Sequence, residues 1–143
     1  MADMKKQGRK NRTNGRDFEV KVRHNLEGKG WIVCKWQNNV EFMPDTAGKL
    51  IPARRKYNPF TKFCSFGNGF PDFIAHREIT NKPNNVSKMY EVMGIEVKSK
   101  GYLDKEEREK CEWILKNNIF SKILIASKGE RRGEIEFEEF KIK

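Results

Sequence analysis

The alternation that decides the fold is G-I-E-V-K-S-K, at residues 94–100. Side chains alternate along a β-strand, so Glu96 and Lys98 are predicted to project from one face while Ile95 and Val97 enter a core on the other. The stretch therefore predicts a strand that has an apolar face and presents a carboxylate and an amine on the opposite face.

A second stretch, G-N-G-F-P-D-F-I-A at residues 67–75, predicts the neighbouring strand. Asp72 stands at its start, after a turn that glycine and proline residues can form. The predicted strands, at about 73–79 and 89–98, are joined by the turn-rich N-K-P-N-N (81–85), which is a hairpin pattern. A hairpin would bring Glu96 back beside Asp72, with Lys98 next to both carboxylates.

Helices and strands on either side complete the predicted fold. Phe18, Val22 and Leu26 recur at four-residue steps and predict a helix from residue 13 or 14 to residue 28 or 30. The other predicted elements are strands at 31–36, 122–126 and 135–142 and a helix at about 104–117, started by the Asp104 and Glu107 capping box. This order predicts an α/β or α+β fold in which helices flank a mixed central sheet.

Composition indicates one globular domain with an anionic partner. The 143 residues are 36% apolar and 35% charged, and ten Phe, three Trp and three Tyr supply large side chains for a core. Lys and Arg outnumber Asp and Glu by 30 to 20, a net charge of +10. That excess favours nucleic acid, ahead of an anionic membrane surface.

Cysteine usage and the absence of long apolar runs indicate the compartment. The three cysteines are far apart and form no C-x-x-C pair, which argues against a zinc site and for a reducing environment. No stretch has the pattern of a secretory signal or the length of a transmembrane span. We expect an intracellular, cytoplasmic protein of a prokaryotic, archaeal or viral setting that does not associate with membranes.

Two segments are candidates for contact with nucleic acid. Residues 1–14 lack periodic apolar positions and predict a flexible basic arm, which could touch a phosphate backbone or simply aid solubility. Residues 37–66 predict an irregular insertion in which cations alternate with rings; this suits nucleic acid, but equally suits a strand with rings inward and lysines outward. The predicted contact residues in these segments are Lys5, Lys6, Arg9, Lys10, Arg54, Arg55 and Lys56.

The paired carboxylates are suited to a Mg²⁺ site. Mg²⁺ prefers oxygen ligands and keeps waters and substrate phosphate oxygens in its shell, so Asp72 and Glu96 could hold the ion beside a phosphodiester. Lys98 could orient or deprotonate the attacking water, or offset charge on the phosphate. The alternative is structural: E-x-K is common on exposed strands, and Pro-Asp often starts a turn.

These motifs resemble the PD-(D/E)xK nuclease superfamily. Pro71 and Asp72 followed by Glu96, Val97 and Lys98 match its signature, and the likeness covers residues 15–36 and 67–126. The first helix, with Gly15, Phe18 and Glu19, and the stretch E-V-K-S-K are similar to archaeal Holliday junction resolvases. The stretch G-F-P-D-F-I-A is similar to virus-type replication-repair nucleases. The resemblance implies a restriction-endonuclease-like αβββαβ core in a single domain over residues 15–143.

The resemblance also implies roles for individual residues. Asp72 and Glu96 would be metal ligands, Lys98 the catalytic lysine, and Glu19 a catalytic residue that approaches the metal through water or steadies Lys98. The alternative for Glu19 is a surface pair with Arg23, four residues on. These nucleases often carry a glutamine on the later helix, where this chain has Lys110. Lys110 could contact phosphate or be an ordinary solvated position of the helix. Lys100 could also contact phosphate.

The sequence therefore predicts a Mg²⁺-dependent endonuclease acting on DNA, with Mn²⁺ able to substitute. We expect selectivity for branched or flapped DNA, because the sequence shows no recognition helix that would contact base edges. Such an activity would serve recombination or repair. Archaeal resolvases act as dimers, so the resemblance implies that this chain could pair with a second copy. The alternatives are a non-catalytic nucleic-acid-binding module on a nuclease fold, and a site-specific nuclease of homing or restriction type.

Overall fold

The computed structural model describes residues 2–44, 46–53, 55–66, 69–80 and 87–143. Within these ranges the chain forms two helices and nine strands. In chain order they are α1 (Ala2–Gly28), β1 (Ile32–Lys35), β2 (Asn38–Met43), β3 (Thr46–Pro52), β4 (Arg55–Asn58), β5 (Phe63–Phe66), β6 (Phe73–Glu78), β7 (Tyr90–Val97), α2 (Lys105–Lys116), β8 (Lys122–Lys128) and β9 (Ile135–Glu139).

Five of the strands form a mixed sheet in the order β1-β6-β7-β8-β9. β7 and β8 are parallel and the other neighbours are antiparallel. The parallel pair follows from the crossover through α2, since two parallel strands cannot be joined by a tight turn. The expected mixed sheet with flanking helices is confirmed, and the fold is α+β.

The sheet carries a core on each face. On one face α1 contributes Phe18, Val22 and Leu26, which pack on strand residues that include Ala75 and Ile95. On the other face Cys111 and Ile114 of α2 pack with a second cluster that includes Val40, Phe120, Ile123 and Ile125. The alternation of side chains along β7 therefore sends Ile95 toward α1 and Glu96 toward α2.

Strand directions bring five strand ends to one edge of this sheet. These ends are Lys35, Phe73, Val97, Lys128 and Ile135, and we call the edge they form the upper edge. The lower edge is formed by the opposite ends of the same strands. Asp72 and Lys98 immediately adjoin the upper edge, so the chemistry predicted from sequence lies at that edge.

The first helix differs from the expectation for residues 1–14. α1 begins at Ala2 rather than near Thr13 or Asn14, so the segment expected to be a flexible arm is helical from residue 2. The segment has no periodic apolar positions to signal a helix, but its Lys, Arg and Gln residues are good helix formers. Neither α1 nor α2 is both long and apolar enough to cross a membrane.

The insertion is more regular than predicted. β2 pairs with β3 and β4 pairs with β5, so the described part of residues 37–66 folds as two hairpins. In the first hairpin, formed by β2 and β3, the pairing ends at Pro52, and a register shift lies between Glu41 and Met43. Such breaks explain why no clean alternation marked these strands in the sequence. The predicted turn 81–85 and Arg54 lie outside the described residues.

A close backbone approach fixes the segment that precedes β6. The Phe70 amide donates to the Asn38 carbonyl at 2.8 Å, and a Cβ at Gly69 would lie 2.0 Å from the carbonyl oxygen of Trp36. Because the obstructing atom belongs to the backbone, only glycine fits at position 69. The first hairpin and the end of β1 thereby hold the chain that leads into Asp72.

Candidate active site

Asp72 and Glu96 meet across adjacent antiparallel strands. Phe73 pairs with Ile95, and the same register continued by one residue sets Asp72 opposite Glu96. The Asp72 amide donates to Glu96 Oε2 at 3.1 Å, and the Val97 amide donates to Asp72 Oδ2 at 2.8 Å. Each carboxylate is thus oriented by the backbone of the other strand, as the predicted hairpin required.

Burial leaves these two carboxyl groups poorly compensated. Glu96 is 5% exposed and Asp72 is half-buried. Desolvation is the largest cause that raises the pKa of Asp72 to about 6, and it raises the pKa of Glu96 to about 9 with a further contribution from the Asp72 charge. Lys98 and the backbone amides lower both values but do not offset the burial. The pair therefore lacks positive charge.

Lys98 is held between the carboxylate pair and α2. Its Nζ lies 3.8 Å from Glu96 Oε1 and 2.5 Å from Glu107 Oε2. Partial burial lowers the pKa of the Lys98 ammonium, but the hydrogen bond to Glu107 and the charge of Glu96 outweigh it, so the net direction is upward. Lys98 is therefore a fixed cation at the site.

Glu107 has two structural tasks that explain its position. It is the third residue of α2, where its Oε1 accepts from the Asp104 amide while Asp104 Oδ1 accepts from the Glu107 amide. This capping box is confirmed. Its other oxygen pairs with Lys98, so the helix start and the lysine are positioned by the same side chain. Sequence reasoning identified Glu107 only as a cap.

Glu19 reaches the site from the other face of the sheet. Its Oε2 lies 3.7 Å from Lys35 Nζ at the end of β1, and its charge is among the causes that raise the pKa of Asp72. The alternative pairing with Arg23 is wrong, because Arg23 pairs with Glu27 at 3.2 Å. Lys35 was missed in the sequence. The sequence carries no signal for it, since Lys35 comes beside Asp72 only because β1 pairs with β6.

Cys111 lies beneath the site on α2. Burial is the main cause that raises the pKa of its thiol to about 12, and the Glu96 and Glu107 charges raise it further. The thiol is fully buried and stays protonated, which makes it an inert packing group.

The predicted nucleic-acid contacts are spread around the site. Lys100 is exposed just beyond the upper edge. Lys110 pairs with Glu106 at 3.4 Å and covers the Phe70 ring, so it is not an ordinary solvated lysine. Of the remaining predicted residues, Lys5, Lys6, Arg9 and Lys10 belong to the first turns of α1, and Arg55 and Lys56 to β4.

The first half of α1 extends past the sheet at the upper edge. Phe18 lies near Lys128 and Glu19 lies near Lys35, both at that edge. At about 1.5 Å of rise per residue, Lys6 is then about 18 Å farther along the helix axis than Phe18. The basic turns of α1 are therefore on the same side of the molecule as the carboxylate pair.

The donor set fits a hard divalent cation. Mg²⁺ is usually held by one or two protein carboxylates, with waters and phosphates supplying the rest, and two carboxylates on adjacent strands, oriented by backbone amides, meet that need. Across the described ranges no group of three or more His, Cys, Asp or Glu side chains could hold a metal ion. Any ion at this site would therefore depend on Asp72 and Glu96.

Comparison with known proteins does not assign the chain to a family. No family model matches the chain, and no curated protein or solved structure gives a significant match.

Replacing Glu107 with glutamine tests whether it positions Lys98. Gln keeps a carbonyl oxygen for the Asp104 amide but removes the charge beside Lys98, so we expect a lower pKa of the lysine and, if the site cleaves phosphodiesters as the sequence predicts, a rate about tenfold slower. The measurement is the pH dependence of kcat, whose alkaline limb should move to lower pH.

The matched control for this variant is Glu106→Gln. Glu106 is the preceding residue, is exposed and pairs with Lys110 rather than Lys98. The Glu106→Gln variant should leave the pH dependence of kcat unchanged. If Glu107→Gln alters only thermal stability, with kcat and its pH profile like those of the wild type, Glu107 has no role in positioning Lys98.

Proposed function

We propose that this protein is a Mg²⁺-dependent endonuclease that hydrolyses phosphodiester bonds in DNA. The proposal is carried by one observation: Asp72 and Glu96 face each other across two strands, short of positive charge, with the Lys98 ammonium beside them. Structural ion pairs are normally neutral, whereas a carboxylate pair that lacks its cation is expected where a metal binds.

The order of the elements supports the same proposal. α1, β1, β6, β7, α2 and β8 follow one another as an αβββαβ succession, and the two hairpins are inserted between β1 and β6. We propose that this succession is a restriction-endonuclease-like core. The carboxylates then come from its second and third strands, and the lysine follows Glu96 by two residues.

Each residue has a distinct chemical task in this proposal. Asp72 and Glu96 hold the metal through their carboxylates, while the amides of both strands fix where those oxygens point. When bound, the metal supplies Lewis-acid polarisation of the phosphate and lowers the pKa of an attacking water. Lys98, kept protonated by Glu107, orients that water and offsets charge developing on the phosphate, and does not act as the base. Glu19 and Lys35 flank Asp72.

The basic regions support recognition of backbone and shape. The basic first turns of α1 extend past the upper edge, Lys100 is exposed just beyond it, and Lys110 lies on α2 over the Phe70 ring. Phosphate contacts position a protein on nucleic acid without specifying sequence. We propose selectivity for branched or flapped DNA, cut by two copies of the chain acting together.

The test is cleavage of labelled four-way junction, flap, single-stranded and duplex DNA, with Mg²⁺ or with a chelator. The wild type should cut only with the metal. Asp72→Asn should lose at least about 1,000-fold of the rate, because one metal ligand becomes a neutral amide. Asp17→Asn, an exposed position on α1, is the matched control and should cut normally.

The outcomes separate the alternatives. Cutting confined to junctions supports a resolvase-like activity, and cutting of random duplexes at one sequence supports a site-specific nuclease. Binding of DNA with no cleavage under any metal would identify a binding module. Equal cleavage by the wild type and Asp72→Asn would disprove the proposed active site.

A further inference from the structure

A second concave site lies on the α1 face of the sheet, between α1 and the turn that joins β8 to β9. This pocket of about 410 Å³ is formed around Phe18 and the turn residues 129–134. Four cations line it: Lys21, Lys128, Arg131 and Arg132. We call it the turn pocket. Sequence analysis singled out none of these four residues.

The cations of the turn pocket have no acidic partner. Within the described part of the chain none of the four forms an ion pair, whereas Lys98, Lys110 and Lys122 all do. Lys128 is placed over the Phe18 ring, with its Nζ 5.6 Å from the centroid. Glu130 and Glu134 also line the pocket, which leaves a net positive charge. Unpaired cations around a concavity indicate a site for an anion.

The turn that carries the two arginines is ordered by its own hydrogen bonds. Gly129 and Glu134 are joined backbone to backbone at 2.9 Å, and the Arg131 amide donates to Glu134 Oε2 at 3.2 Å. Gly133 has a φ of +83°, which a larger side chain would strain. The carboxylate of Glu134 is thereby held by the backbone, and the guanidinium groups are left for an external ligand.

The turn pocket is connected to the carboxylate site along the upper edge. The Lys128 amide donates to the Ser99 carbonyl at 3.2 Å, directly after Lys98, and exposed Lys100 lies in the same segment. Two strand spacings of about 4.8 Å each separate the β8–β9 turn from the junction of β6 and β7, and the turn pocket lies on the α1 face whereas Glu96 faces α2. A nucleic-acid strand that contacts both sites would therefore cross the upper edge.

We infer that the turn pocket binds backbone phosphates of the nucleic acid whose scissile bond lies at Asp72 and Glu96. The inference rests on the proposed function, because that function supplies the strand that connects the two sites. Arg131 and Arg132 present planar guanidinium groups suited to phosphate oxygens, and Lys21 and Lys128 add charge from the pocket wall. The pocket would set how the substrate lies across the upper edge.

The experiment measures binding of a labelled DNA duplex in metal-free buffer, so that cleavage plays no part. Arg131→Ala/Arg132→Ala removes two phosphate contacts but keeps the amide that donates to Glu134. We expect binding about tenfold weaker at about 150 mM salt, and a plot of log K against log salt that is shallower by about 2. Lys88→Ala/Lys143→Ala removes the same charge at the lower edge and should change binding less than about twofold.

Each outcome bears on the inference separately from the nuclease proposal. Equal affinity and salt slope for the arginine variant and the lysine control would overturn it, as would a wild type that fails to bind duplex at low salt. If the arginine variant keeps wild-type binding while Asp72→Asn abolishes cleavage, only the turn pocket is wrong. If the arginine variant loses binding while Asp72→Asn still cuts, the proposed active site is wrong, and only the binding of DNA by the turn pocket stands.

Discussion

Glu96→Gln is expected to abolish cleavage and at the same time make the metal-free protein more stable. The amide cannot replace a charged metal ligand, so we expect a loss of at least about 1,000-fold in kcat. Folding at pH 7 must take up a proton at Glu96, because burial raises its pKa to about 9 from an ordinary 4.5. Gln removes that cost, and the free energy of unfolding should rise by about 1–3 kcal/mol.

The control for this variant is Glu91→Gln, on the same strand. Glu91 pairs with Lys122 at 2.8 Å, away from the carboxylate site. It should cleave normally and lose up to about 1 kcal/mol of stability. Thermal unfolding with a chelator, together with cleavage rates in Mg²⁺, makes the comparison. A Glu96→Gln protein that is less stable than the wild type, or that cleaves normally, would contradict the account.

The stability of the metal-free protein is expected to fall between about pH 4 and pH 9. Both carboxyl groups have pKa values raised in the folded state, Asp72 to about 6 and Glu96 to about 9. A raised carboxyl pKa favours the folded state below the unfolded value, and that stability is lost as pH rises through the folded value. Between pH 5 and pH 8 we expect a loss of about 2–4 kcal/mol, or roughly 5–15 °C in Tm.

A bound cation should reverse this trend. Mg²⁺ binds the ionised carboxylates of the folded protein, so it should raise Tm strongly at pH 8 and little at pH 5. Melting curves at both pH values, with Mg²⁺ or chelator, measure the effect. The Tm of Glu96→Gln should change less with pH and less with Mg²⁺ than the Tm of the wild type. Stability that increases from pH 5 to pH 8 without metal would be the opposite of what the site requires.

Much of the fold could be predicted because the deciding signals are local. The alternation around Glu96, the four-residue steps of Phe18, Val22 and Leu26, and the Asp104 cap each depend on residues close in sequence. The first hairpin of the insertion could not be predicted, since its register shifts between Glu41 and Met43 and it contacts α2, which is distant in sequence. The early start of α1 was missed because its first turns carry no apolar residues at helical spacing.

The candidate site was only partly visible in the sequence. Asp72 and Glu96 were placed together because a hairpin fixes which residues are opposite each other. Glu107 and Lys35 were missed as site residues because their positions depend on how α2 and β1 pack around that hairpin. The turn pocket was missed for the same reason: its cations come from α1 and from a turn more than a hundred residues later.

The most direct test of the central claim is a calorimetric titration of Mg²⁺ into the metal-free protein at pH 7, in two buffers of different ionisation enthalpy. The account predicts one ion bound per chain, with about one proton or more released as the Asp72 and Glu96 carboxyls ionise. Asp72→Asn should bind far more weakly, and Asp17→Asn should match the wild type. Absence of binding, or binding that Asp72→Asn retains unchanged, would contradict the claim that these two carboxylates form a cation site.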